Sequence, residues 1–419
     1  MLDRTIAPAA ERIEHISIPK FSKRNLKNGV PVYFLNSGDQ NVLKIEILLD
    51  SGVKYEKKAG TSFLVSRLLT AGTTNKSASE IATELDYFGA FTETSSGFDQ
   101  ITVSIYCLKK FVKPIMILLT DLLSNSSFPE SELQTVIRQK IHDLSVSDQK
   151  NSLVAAKTFR QNIFGLSHPY GKILTAEDLR KVTKDDVVDF YQNSFFNNTK
   201  AIVSGKIDDD VLDLIEESFE QLPTNSLLPQ KGVIEPLSKK QVITREDSMQ
   251  SAIRLGNLTI DKHHEDIHKL HITTSLLGGY FGSRLMKNIR EDKGYTYGIG
   301  ASVAHLQDAS FMVISTDVVK KYTRQTVVEI KKEINRLQTE AIDPSELETL
   351  KNYLSGKFLS GIDTAFNIAG KFRAVEIHGL GYDYYNDFLK TLGEISPEGI
   401  MQTAKKYFPE ELMSSVIVG

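Results

Sequence analysis

The helix-start signature Ser131-Glu132-Leu133-Gln134-Thr135 returns as Ser345-Glu346-Leu347-Glu348-Thr349, each shortly behind a proline and 214 positions apart. The segment AIVSG closes at Gly205 and SVIVG closes at Gly419, again 214 apart, while helix-capping segments at Thr183 and Ser396 lie 213 apart. A shared offset across three markers points to an internal duplication of long period, and a duplicated chain has to build one supersecondary plan twice. Length agrees with this, since 419 residues exceed the roughly 250 to 300 at which a single core stops growing. Between the halves, LPTNSLLPQKGVIEPLSKK collects three prolines and a glycine without periodicity. The expected division is therefore an N-terminal domain over 1–222, a linker over 223–240 and a C-terminal domain over 241–419.

In the first half VPVYFLN and LKIEILLD alternate as paired strands, 61–71 and 78–88 read as helices, and 91–96 and 100–107 return as strands before a block of helices. The second half repeats the order: strands near 241–247 and 251–259, a helix from about 263, strands at 295–304 and 309–316, then helices and SVIVG. Strands at hairpin-like spacing followed by runs of helices favour an α+β fold with a mostly antiparallel sheet in each half, not a doubly wound parallel one.

A formal net charge of -3 and a pI near 6.3 provide no global basic field, which argues against nucleic acid as a partner. Cys107 is the single cysteine, so no internal disulfide can form, and its setting in ITVSIYC reads as a buried strand. No run of about 18 apolar residues suggests a membrane span. The start MLDRTIAPAAERIEH holds no apolar stretch behind a basic end. The expectation is a cytoplasmic protein, with the periplasm left open because a leader could have been removed.

His264, Glu265 and His268 spell H-E-x-x-H, which on a helix would set two metal ligands on one face with a general base beside them. Asp261, Lys262, His263, Asp266 and Lys269 crowd the motif with charge, and spacing nominates no third protein donor. The expectation is an exposed helix start capped by Asp261, its histidines solvated.

GTSFLVSRLLTAGTT at 60–74, followed by ASEIATELDYFGAFTETSS, resembles the pitrilysin and insulysin family of inverzincin peptidases, in which the first helix carries H-x-x-E-H. An ungapped match on Gly60, Gly72 and Thr73 puts Phe63 and Arg67 at the two histidine ligands, Ser66 at the catalytic glutamate, and Lys140 at or beside the third ligand. The resemblance extends through GVKYE, SHPYG and TKDDVVDFY to the duplication itself. It implies a sheet of about six strands in each half and a chain without its own catalytic or metal residues.

Residues 276–300, LLGGYFGSRLMKNIREDKGYTYGIG, are similar to the segment in which the family places a substrate-contacting arginine and, seven positions on, a tyrosine; here these are Arg290 and Tyr297. A guanidinium can hold carbonyl oxygens with paired donors and a phenol can donate to a growing oxyanion. Gly294 is expected to supply a permissive turn between them, and Gly278 and Gly279 either a close helix–sheet approach or ordinary packing. The strand FTETSS matches the family's substrate-binding edge, although Glu93-Thr94 replaces its Asn-Ala.

The leading expectation is a non-catalytic, substrate-binding subunit of a heterodimeric zinc metallopeptidase. It has no cofactor of its own, and zinc lies in a related partner chain with intact H-x-x-E-H, which Arg290 and Tyr297 serve during cleavage of peptide substrates. Without that partner, two copies of this chain are another way to close the chamber. The alternatives are a structural subunit like the core proteins of respiratory complexes and, behind it, an independent zinc peptidase using His264, Glu265 and His268. A processing-peptidase alpha subunit ranks low, because that relative carries a glycine-rich insertion where GGYFGSRL runs straight on.

Overall fold

The computed structural model describes residues 5, 17–230, 232–237 and 240–419. The described residues divide into two compact units, one holding 19–230 and 232–237 with 364–373, the other 17–18, 240–363 and 374–419.

In the first unit, strands β1 (Ser22–Asn25), β2 (Pro31–Asn36), β3 (Val42–Leu49), β4 (Phe91–Ser96), β5 (Ile101–Leu108) and β6 (Lys200–Gly205) form one sheet in the order β1-β2-β6-β3-β5-β4. All pairs are antiparallel except β2 with β6. Period-2 alternation turns Leu43, Ile45, Ile47 and Leu49 of β3, and Ile101, Val103, Ile105 and Cys107 of β5, into one core. Burial pushes the Cys107 thiol up to about 12, which leaves it inert. Helices α1 (Thr61–Leu68), α2 (Ala78–Tyr87), α3 (Val112–Ser124), α4 (Glu130–Gln149) and α5 (Asn151–Phe164) follow in chain order. The start of α2 is a capping box: Ser77 accepts from the Glu80 N–H, and Glu80 accepts from the Ser77 N–H.

The opposite side of β3 carries Glu46, which is buried and bridged by Lys44 at 2.9 Å and Arg373 at 3.0 Å. Phe372 stacks on Phe21 at 4.3 Å and lies 4.9 Å from Tyr33. Residues 364–373 thus belong to the first unit although they lie deep in the second half of the sequence, a departure from the boundaries read by composition. The stretch expected as a linker is also held to this unit: the Gln230 N–H donates to Lys54 O at 3.0 Å, and the Leu237 N–H to Asn162 O at 2.9 Å. Its prolines interrupt periodicity without freeing the backbone from partners.

In the second unit, β7 (Lys240–Ile243), β8 (Gln250–Thr259), β9 (Thr296–His305), β10 (Ser310–Val319) and β11 (Ser414–Val418) form a sheet in the order β7-β11-β8-β10-β9. This is the order β2-β6-β3-β5-β4 over again, with the parallel pair in the same place. About six strands were expected here and five occur among the described residues, β1 having no counterpart. The duplication is also written in Lys109–Phe111 (KKF) and Lys320–Tyr322 (KKY), single 3-10 turns that leave β5 and β10. Gly278 lets the helix Ile267–Gly278 lie close on β9, because a Cβ there would sit 2.5 Å from the Ala301 backbone nitrogen. Gly279 instead faces Ser275 of its own helix. Among the described residues no helix is long and apolar enough to cross a membrane.

Candidate functional site

Helix α1 starts where the chain has just passed a buried carboxylate. Gly60, in the left-handed region at φ +94°, precedes the helix, and Glu56 reaches back to its first turn. The Glu56 carboxylate accepts the N–H groups of Gly60 at 3.1 Å and Ser62 at 2.9 Å, satisfying donors that have no partner inside the helix. It also accepts the Ser62 hydroxyl at 2.5 Å, while Ser96 of β4 donates to the Ser62 oxygen at 3.0 Å. Burial raises the Glu56 carboxyl above the usual range, against the pull of those donors. Sequence reasoning quoted Glu56 only as the end of GVKYE and gave it no role, because no periodicity marks a carboxylate that caps from before the helix.

Leu64, Val65 and Leu68 pin α1 to the core, which turns Phe63 and Arg67, four residues apart, to its other face. In α4, Leu133 and Ile137 are buried and Lys140 follows one turn later. The Lys140 ammonium lies 4.3 Å from the centre of the Phe63 ring, a cation–π contact. Ser66 is buried and spends its hydroxyl on the Phe63 carbonyl at 2.8 Å, and Arg67 is exposed. The structure therefore brings Phe63 and Lys140 together and leaves Ser66 and Arg67 apart from that contact.

The family's zinc does not fit these residues. Zinc needs deprotonated nitrogen, sulfur or carboxylate donors, whereas an aromatic ring, a self-satisfied hydroxyl, a guanidinium and an ammonium offer none. Among the described residues no three His, Cys, Asp or Glu side chains gather where a metal could be held.

The H-E-x-x-H run is not a helix face. The helix begins at Ile267, so His264 and Glu265 fall in the preceding turn, where the His263 N–H donates to Asp261 at 2.8 Å and the Asp266 N–H to His264 Nδ1 at 3.0 Å. The expectation of solvated histidines is corrected for His268, which is buried against Tyr384 at 4.5 Å and Phe388 at 5.8 Å between ring centres. Burial holds its imidazole below the ordinary value. Asp266, expected as part of a solvated charge cluster, instead accepts from Lys269, Lys406 and Tyr407 and ties this turn to the helix Pro397–Tyr407.

Arg290 and Tyr297 lie on either side of one tight turn that leads into β9. Arg290 lies in the π-helical turn Met286–Asp292, anchored by the buried Ile289. The turn closes as the Gly294 N–H donates to Arg290 O at 3.2 Å and the Tyr295 N–H to Ile289 O at 3.0 Å, with Gly294 at φ +64°. The Arg290 guanidinium stacks 4.5 Å over the Phe281 ring, and its Nη1, closed off from solvent, has no hydrogen-bond partner among the described residues.

Tyr297 is 92% exposed on β9, the edge strand. The register with β10 passes from Ile299↔Thr316 to Thr296↔Val318, so Tyr297 and Gly298 together oppose Asp317. That is a β-bulge, a feature that re-aims a side chain away from the regular pleat. Hydroxyls stitch it: Thr296 donates to Asp317 O at 2.7 Å, the Gly298 N–H donates to Thr296 Oγ1 at 3.1 Å, and Thr316 donates to Thr296 Oγ1 at 3.0 Å. Thr296 and Thr316 escaped sequence reasoning, because alternation alone reads 295–304 as an unbroken strand.

Residues 32–169 match the family described as Insulinase (Peptidase family M16), and residues 181–354 match the Peptidase M16 inactive domain. A Bacillus subtilis protein named an uncharacterized zinc protease YmxG is 21% identical over 93% of this chain and 96% of its own length. A Helicobacter pylori protein named a non-peptidase homolog YmxG is 23% identical over 81% of this chain and 83% of its own length. The crystal structure of a peptidase M16 inactive domain from Pseudomonas fluorescens shares the fold, with a TM-score of 0.88 at 20% identity over 96% of this chain and 98% of that one.

Proposed function

The chain belongs to the M16 peptidase family as an inactive-type, non-catalytic member, and from that premise we propose that it is the substrate-binding subunit of a two-chain zinc peptidase. The partner is a related chain whose first helix keeps H-x-x-E-H, and zinc chemistry lies wholly with that partner. The observation that carries this reading is a division of residues: the ligand positions Phe63, Arg67 and Lys140 hold groups that bind no metal, while Tyr297 is aimed outward by a stitched bulge. Arg290 supports it, since its half-buried guanidinium is laid over the Phe281 ring on the turn that leads into Tyr297.

In such a complex Arg290 holds peptide carbonyl oxygens through parallel N–H donors, and the Tyr297 hydroxyl donates to the oxygen that gains charge as the scissile carbonyl becomes tetrahedral. Both contacts tighten as negative charge grows, so they act on rate more than on binding. The substrates are peptides in extended form.

Mixing tests the reading. This chain alone should not cleave peptides, its partner alone should be weak, and the mixture should be active. Tyr297→Phe should lower kcat of the mixture by about 10² to 10³, the range measured for loss of one oxyanion donor. Unchanged turnover in mixtures carrying Arg290→Ala and Tyr297→Phe would remove both residues from the reaction.

A further inference from the structure

Beside α1 and α4 the first unit opens a cleft of about 690 Å³, a size that accommodates a small ligand or several residues of peptide. Phe63, Leu144, Leu166 and Leu174 give it apolar walls, and five cations share them with three carboxylates. Most of the counter-charge is already committed. Asp148 pairs with Lys157, and Asp178 accepts the N–H and hydroxyl of Thr175 in a capping box. Glu56 is engaged by Gly60 and Ser62 and its ionised form is disfavoured by burial.

Lys57 pairs with Asp189, which lies outside the cleft lining, and two cations, Lys140 and Arg160, are left over. Lys140 rests on the Phe63 ring and forms no ion pair among the described residues. Arg160 lies 5.0 Å over the Phe98 ring and spends only Nε, weakly, on Tyr170 O at 3.4 Å, which leaves its Nη groups for a ligand. Lys172, exposed in the same lining, already acts through its charge on the Glu56 carboxyl. Burial lowers the Arg160 guanidinium from its ordinary value, and an anion seated beside its Nη groups relieves that desolvation cost.

We propose that this cleft binds the free C-terminal carboxylate of a peptide, with Arg160 and Lys140 on the carboxylate and Phe63, Leu144 and Leu174 around the terminal side chain. The guanidinium fork matches the two oxygens of a carboxylate, and the apolar wall selects a ligand that brings hydrocarbon with its charge. An inorganic anion would fill a small fraction of the volume and leave that wall wet. Where the family's active members hold a cation, this chain would hold an anion. The inference does not rest on the two-chain reading, because it uses neither Arg290 nor Tyr297.

The test is fluorescence anisotropy of the full chain with a fluorescein-labelled pentapeptide ending in leucine, compared with the same peptide as its C-terminal amide. The chain contains no tryptophan, so a labelled probe is needed. The free acid should bind saturably, the amide at least tenfold more weakly, and the acid should weaken as salt rises from 50 to 200 mM. Lys140→Glu should abolish binding, and Arg160→Lys should weaken it at least threefold. Arg160 is partly buried and its variant can unfold the unit, so Lys140→Glu, at a half-exposed position and shown by a cooperative melt to be folded at the assay temperature, carries the decision. Equal binding of acid and amide, full binding by Lys140→Glu, or displacement of the peptide by inorganic phosphate at its own affinity would each overturn the assignment.

Discussion

If Phe63, Arg67 and Lys140 occupy the family's three ligand positions, then the triple substitution Phe63→His, Arg67→His, Lys140→Glu should build a zinc site where none exists. The geometry is favourable: positions 63 and 67 share one face of α1, and position 140 already touches position 63 across the helix pair. Ser66 is left alone, because it is buried and an ionised glutamate there would be costly. Without metal the variant loses a half-exposed cation–π contact and part of a half-buried ring, together about 1 to 2 kcal/mol. For a unit of this size each kcal/mol moves the melting temperature by about 2 to 4 °C. Zinc at about 100 times its dissociation constant returns roughly 2.7 kcal/mol, a rise of about 5 to 11 °C. Differential scanning fluorimetry with and without zinc, and elemental analysis of the dialysed protein, read both quantities. The wild-type transition should not respond to zinc, and the double variant that retains Lys140 should not either, because the ammonium repels the metal. A folded triple variant with no bound zinc and no zinc-dependent rise would refute the placement of the ligand positions.

Burial raises the Glu56 carboxyl, so the native state binds that proton more tightly than the unfolded chain. Stability contributed at this position is therefore greatest below the ordinary value of 4.5 and declines as pH rises from there through the raised native value. A melting-temperature profile from pH 4 to 8 should be flatter for Glu56→Gln, and superimposable profiles would count against the argument. Gly278→Ala forces a methyl against the Ala301 backbone and should cost about 1 to 3 kcal/mol by urea denaturation, whereas a neutral result would mean the helix is free to retreat from β9. Thr296→Val removes the hydroxyl that stitches the bulge, so it should lower kcat of the active mixture about tenfold with little change in KM, and add nothing once Tyr297→Phe is present. Additive effects of the two substitutions would assign Thr296 a role unconnected with Tyr297.

Much of the architecture was legible in the residues because its causes are local. Alternation in LKIEILLD and ITVSIYC placed β3 and β5, Thr183 and Ser396 announced helix starts as capping residues, and the repeated offset anticipated one strand order built twice. That Phe63, Ser66, Arg67 and Lys140 offer zinc no donor was likewise readable from residue type, at positions that the family resemblance implies. The start of the helix near 263 was misplaced because hydrogen bonds inside the turn from Asp261 to Asp266 compete with helix initiation, and periodicity does not register that competition.

What the order of amino acids determined by itself, then, was the inventory: two copies of one sheet plan, a first helix without ligands, and an arginine and tyrosine separated by a turn glycine. Tertiary structure alone decided which of these residues meet. Lys140 reaches Phe63, His268 is buried among aromatic rings, residues 364–373 cover β3, and the bulge turns Tyr297 to solvent, because each depends on surfaces supplied by elements distant in the chain. Hydrogen-bonding and apolar periods are set within a few residues, whereas the desolvation and charge environment of a side chain is set by whatever the fold packs against it.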